Sequence, residues 1–82
     1  MEPGAYYVRD LVGLTVFRGE EEIGRLRDIL QTGGRDVYLV ALHDGGELLF
    51  PSVPDVFRER NPQAGRIVLE PERLQEVGVY DV

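Results

Sequence analysis

Glycine-bearing turn signals cut the chain into segments too short for anything but strands. Arg18-Gly19-Glu20, Gly33-Gly34, His43-Asp44-Gly45-Gly46 and Asn61-Pro62-Gln63-Ala64-Gly65 interrupt runs of alternating or continuous apolar residues. Short runs between regularly spaced turns predict an all-β domain. The strands expected are Leu11–Phe17, Glu21–Leu30, Asp36–Leu42, Glu47–Phe50, Val56–Arg60 and Arg66–Glu70. Six short strands make a small antiparallel barrel. Val37 to Leu42 is apolar without a break and predicts the most buried strand. In Glu21–Leu30 the apolar parity changes between Ile23 and the pair Leu26 and Leu30, so a bulge or sharp bend is expected at Gly24. Pro51-Ser52-Val53-Pro54 is expected as an exposed crossing, because neither proline donates to a ladder. Pro71 opens a short helical turn with Leu74 and Val77 on one face, and the tail after it is expected to be partly disordered.

Eighty-two residues form one domain, near the small end of what a core supports without staples. With no cysteine there is neither a disulfide nor a thiolate metal site, which suits a reducing cytoplasm. No apolar run approaches the about 20 residues of a membrane span, and Met1-Glu2-Pro3-Gly4 has no signal-peptide character. Fifteen acidic residues against nine basic ones leave a net charge of −6, and every cation is arginine. The missing lysine reads as codon composition or a thermophilic source. A chain this acidic lacks the basic stripe of an autonomous nucleic-acid binder and is steered toward basic partners.

No catalytic constellation emerges. His43 sits in a turn beside Asp44, and Ser52 is the sole serine. Glu20-Glu21-Glu22 cannot converge on one ion from a strand, since successive side chains face opposite ways. No metal or cofactor is expected. Arg25, Arg27 and Arg35 are expected to pair with the neighbouring Glu20, Glu21, Glu22, Asp28 and Asp36. Tyr6-Tyr7 stands out, because adjacent aromatics on an extended arm let one ring pack and the other face a partner. The candidate contact residues are therefore Tyr6, Tyr7, Val8, Arg9 and Asp10 on the arm, with Phe50, Pro51 and Val53 on a second rigid apolar stretch. Two rings plugging an open barrel end would explain the tyrosines equally well.

Tyr6-Tyr7, Asp10-Leu11, Gly13-Leu14-Thr15-Val16 and Ile23-Gly24 followed by Leu26 resemble the start of the C-terminal PRC-barrel domain of the ribosome maturation factor RimM family. The likeness continues through Leu26–Gly33, Asp36–Val40, Gly46–Pro54 and Gly65–Leu69. Each motif is weak singly, but their order and spacing are specific. The resemblance implies a PRC-type barrel over 6–74, with 1–5 a start or linker remnant after a missing N-terminal β-barrel domain and 75–82 a tail. It also implies a monomeric, cytoplasmic, non-enzymatic assembly factor acting on the 30S precursor and in 16S rRNA processing. Its partner would be a basic ribosomal protein of the small-subunit head, the nineteenth, with rRNA contact weak or indirect. In the family the paired aromatics at the start of this domain are tied to ribosome binding, which maps onto Tyr6 and Tyr7. A stand-alone PRC-barrel interaction module, as in photosynthetic reaction centres, and a direct rRNA-binding domain are the alternatives.

Overall fold

The computed structural model describes residues 8–31 and 33–81. The elements in chain order are α1 (Val8–Leu11), β1 (Thr15–Arg18), β2 (Glu21–Leu30), β3 (Val37–Leu42), β4 (Glu47–Pro51) and a 3₁₀ turn (Pro54–Val56). β5 (Phe57–Asn61), β6 (Arg66–Leu69), α2 (Pro71–Val77) and β7 (Val79–Asp81) follow. The strands form one seven-stranded sheet in the order β5-β6-β1-β2-β3-β4-β7. The all-β class is as expected, but the six-stranded antiparallel barrel is not. Among the described residues the sheet has two free edges, and β1 pairs with β6 in parallel, Thr15 opposite Arg66 through Arg18 opposite Leu69. Turn signals reveal each hairpin, whereas nothing local says that the last hairpin returns to lie beside the first strand.

The first strand starts later than expected. Leu11 belongs to α1 and is buried from there, while Gly13 adopts φ +95°, a conformation that disfavours a side chain. The Gly13 N–H then donates to the Leu26 carbonyl at 2.7 Å, which lays residues 13 and 14 along β2 before β1 begins. Apolar alternation over 11–17 thus arises from a helix and a strand that feed one core.

β2 carries two irregularities rather than one. Against β1, Val16 pairs with Gly24 and Phe17 with Glu22, leaving Ile23 as the extra residue. Against β3, Leu26 pairs with Val40 and Asp28 with Leu39, leaving Arg27 extra. Each bulge flips the parity, so Ile23, Leu26 and Ile29 all reach the core although they are three apart, and Leu30 is left exposed. Gly24 sits at the first bulge for a steric reason: a Cβ there would lie 2.1 Å from the Ala41 carbonyl oxygen.

Core side chains come from every layer: Leu11, Val16, Leu26, Val40, Leu48, Phe50, Val56, Ile67, Leu69 and Leu74, among others. β3 buries only Tyr38 and Val40, so it is a one-sided strand and not the fully buried one its composition suggests. Pro51 ends β4 as a paired residue opposite Val37, not as an exposed crossing. It is tolerated because β7 pairs only with Glu47, Leu48 and Leu49. α2 forms where Pro71 predicts it, with Leu74 buried and Val77 packed on the core. The tail continues past it into β7 instead of fraying.

Two side-chain bridges close what the open sheet leaves apart. Arg18 Nη1 on β1 donates to the Tyr80 hydroxyl on β7 at 2.7 Å, and Arg60 Nη1 on β5 donates to the Tyr38 hydroxyl on β3 at 3.2 Å. The sheet is therefore curled far enough for strands distant in its order to touch.

Candidate docking surface

Register defines two ends of the β1–β4 face. The segment after α1 meets β2 at Leu26, so α1 lies toward the end of β2 that carries Leu30. Leu30 pairs with Val37, and Val37 with Pro51, which sets the three side by side across β2, β3 and β4. Leu30 and Val12 are both 39% exposed, giving this end an apolar fringe. Asp10 is exposed beside it. Of the expected contact residues, Asp10 lies on α1 and Pro51 closes β4 opposite Val37.

The other candidates fare differently. Tyr6 and Tyr7 lie outside the described residues, and Val8 and Arg9 are on the backbone of α1. Phe50 is not available to a partner. It is 1% exposed, with its ring centroid 5.4 Å from that of Tyr38 and 5.9 Å from that of Phe57. It alternates inward with Leu48 along β4, so the proline that follows it does not carry it to the surface. Pro51 and Val53 are half-buried. The partly exposed aromatic here is Phe57, which packs on Tyr38 and lies 4.4 Å beneath the Arg60 guanidinium. A strand-initial Phe in an otherwise charged stretch, Phe57-Arg58-Glu59-Arg60, was the available signal.

The opposite end gathers the β1–β2 turn, the β3–β4 turn and β7. Tyr80 pairs with Leu48 and so shares its core-side face, yet it remains 47% exposed. A cleft of about 230 Å³ opens beside it, lined by Ile23, Leu42, Glu22, His43 and Asp44. A second, of about 270 Å³, runs to Pro71, Leu74 and Gln75, and Arg18 and Tyr80 border both. His43 is a turn residue as expected, but its Nε2 lies 2.8 Å from Glu22 Oε2. Tyr80, which borders both clefts, is not among the residues expected from the sequence. Its signal was the β-type triplet Val79-Tyr80-Asp81 directly after Gly78.

Ion pairing also departs from sequence proximity. Arg27 meets Glu47 at 2.8 Å, Arg18 meets Glu21 at 2.6 Å, Arg58 meets Glu70 at 2.6 Å, and Arg66 meets Glu59 at 3.0 Å. Arg73 lies 3.2 Å from Asp55. Cross-strand register chooses the partners of Arg27, Arg58 and Arg66, whereas Arg18 and Glu21 are chain neighbours across a turn and the Arg73–Asp55 pair joins α2 to the 3₁₀ turn. The hydrogen bond from Arg66 holds the Glu59 carboxyl below the usual glutamate range, aided by Asn61, and that from Arg58 does the same for Glu70. The Arg18 guanidinium is pushed up by Glu21 first and then by Tyr80. Among the described residues no group of three acidic, histidine or cysteine side chains is placed to hold a metal, and no helix is long and apolar enough to cross a membrane.

A family model described as the RimM PRC barrel domain matches residues 8–73. The ribosome maturation factor RimM of Streptococcus agalactiae is 37% identical over 70 residues, covering 85% of this chain and 41% of the relative. That of Desulforamulus reducens is 38% identical over 68 residues, covering 82% and 40%. The chain thus spans about two fifths of the length of the curated relatives it matches. A crystal structure of a 16S ribosomal RNA processing protein RimM from Pseudomonas aeruginosa superposes with a TM-score of 0.72 at 27% identity, over 84% of this chain and 45% of that one. The chain belongs to the RimM PRC-barrel family.

Proposed function

We propose that this chain is a docking module of a ribosome maturation factor, without chemistry of its own. It would hold a basic protein of the small-subunit head, the nineteenth small-subunit protein, on the maturing 30S particle in the cytoplasm and so support 16S rRNA processing. The observation that carries this reading is the state of the cations. Five of the nine arginines, Arg18, Arg27, Arg58, Arg66 and Arg73, already lie against carboxylates of this chain, whose net charge is −6. Such a field steers a basic protein inward and repels an RNA backbone. Contact with rRNA is accordingly weak or indirect, and the domain acts as a monomer.

On this reading the partner meets the α1 end of the sheet. Val8, Arg9 and Asp10 belong to α1, and Pro51 and Val53 flank this end, while Phe50 supports it from within the core; Tyr6 and Tyr7 precede α1 in the sequence and are proposed as part of the contact. Calorimetric titration of the purified head protein into the chain and into a Tyr6→Ala/Tyr7→Ala variant tests the proposal. Binding by the parent and a large loss in a still-folded variant are expected. Equal binding by both would remove the arm from the interface, and no binding by either would remove the partner.

A further inference from the structure

The two free edges of the sheet are built differently. β5 is defended in the ways natural edges are: Arg58 is an extra residue between the pairs Phe57–Leu69 and Glu59–Val68, and charged Arg58, Glu59 and Arg60 occupy its middle. Arg58 and Glu59 are further engaged with Glu70 and Arg66. β7 has neither a bulge nor a charged middle, and its defences are its three-residue length and the terminal Asp81. It pairs regularly with β4, and among the described residues no strand lies on its other side. All three of its residues are exposed, and Val79 at 63% and Tyr80 at 47% are large apolar surfaces for a free edge.

We infer that the outer edge of β7 is a strand-addition site that receives an extended, basic segment of the partner protein. An incoming strand completes the backbone hydrogen bonds of β7, and alternate side chains fall on opposite faces. On the core-side face the two clefts beside Tyr80 offer it room. The one bordered by Pro71 and Leu74 suits an aliphatic side chain, and the one bordered by Glu22 and Asp44 suits a cation. Charge selects among occupants. Asp81 stands opposite Glu47 at this edge, and Glu21, Glu22 and Asp44 line the first cleft; Arg27 holds Glu47, Arg18 holds Glu21 and His43 lies against Glu22, so the acidic excess here rests on Asp44 and Asp81. A second copy of this chain would bring another −6 to the same place, whereas a segment rich in arginine or lysine is attracted. The inference rests on the partner being basic, but it concerns the β7 edge and not the α1 end of the sheet.

Amide hydrogen exchange at Val79–Asp81, followed by NMR with the chain alone, with the head protein, and with a ten-residue peptide of repeating Arg-Thr-Val-Thr, which puts a cation and an aliphatic side chain on one face, separates the two claims. Slowed exchange at these amides with either ligand supports the site. Val79→Lys should weaken that binding about tenfold or more and Val79→Glu should not, a charge-sign difference that general loosening of β7 does not produce. If the head protein fails to bind while the peptide protects β7, the partner is wrong and the site stands. Binding of either ligand with unchanged exchange at 79–81, equal effects of the two variants, or no binding by either ligand overturns the site.

Discussion

Gly24→Ala should be among the most disruptive single-methyl additions this domain can suffer. The added Cβ would lie 2.1 Å from the Ala41 carbonyl oxygen and 2.9 Å from both the Ala41 carbonyl carbon and the Leu42 Cα. Carbon–oxygen approaches settle at about 3.3 Å or more even where they are attractive. Relief therefore requires β2 and β3 to part by about 1 Å, at the centre of the sheet and beside the Ile23 bulge. Overpacking of side chains costs about 1–3 kcal/mol. Here the obstacle is backbone, which cannot rotate away, so at least about 3 kcal/mol is expected. A chain of this length has a total stability of about 4–12 kcal/mol. Each kcal/mol moves the midpoint by about 4–8 °C in a domain this small, so Tm should fall by about 12 °C or more. Gly34→Ala is the internal control, since a Cβ there meets nothing within 4 Å and its backbone is not in the left-handed region. It should be neutral or stabilise by about 0.4–1 kcal/mol through the unfolded chain. Thermal denaturation of both variants decides the matter. A Gly24→Ala protein within about 1 kcal/mol of the parent would refute the argument that close approach, not flexibility, places glycine there.

Other expectations follow from the same contacts. Leu74→Ala should cost about 2–5 kcal/mol, because this fully buried side chain anchors α2, and chemical denaturation will read it. Tyr80→Phe removes only the exposed bond to Arg18 and should cost no more than about 1 kcal/mol by the same measurement, so a large loss would mean that the bridge holds the sheet curled. Glu59 and Glu70 have depressed pKa values in the fold, so the stability they contribute is present above the unfolded glutamate value, 4.5, and is lost as pH falls through their lower folded values. Tm should hold steady near neutrality and decline below about pH 4.5, and Arg66→Ala should shrink the Glu59 share of that decline.

Local structure was legible wherever one residue type dictates it. Gly45, with φ +94°, closes the β3–β4 turn, and Pro71 opens α2, each as the residue's own conformational preference demands. Gly24 was legible as a bend but not as a point of contact between strands, because what a missing Cβ avoids depends on Ala41. The second bulge, at Arg27, was illegible because a charged residue carries no bulge signal. It is what buries Ile29 and exposes Leu30, against the simple parity reading. The parallel β1–β6 pairing and the β7 edge are tertiary choices with no local mark. Of the proposed contact residues, Phe50 was misplaced because adjacency to proline was read as exposure, although inward alternation with Leu48 governs it. Tyr80 was passed over because a terminal triplet is too short to show a pattern.

The central question is whether this acidic domain grips a protein or an RNA. Parallel calorimetric titrations with the purified head protein and with isolated 16S head rRNA, at about 0.01 M and about 0.1 M salt, test it most directly, because screening shortens from about 30 to about 10 Å over that range. The account predicts binding of the protein that weakens as salt rises, with little or no binding of the RNA. Tight RNA binding, or protein binding indifferent to salt, would contradict it.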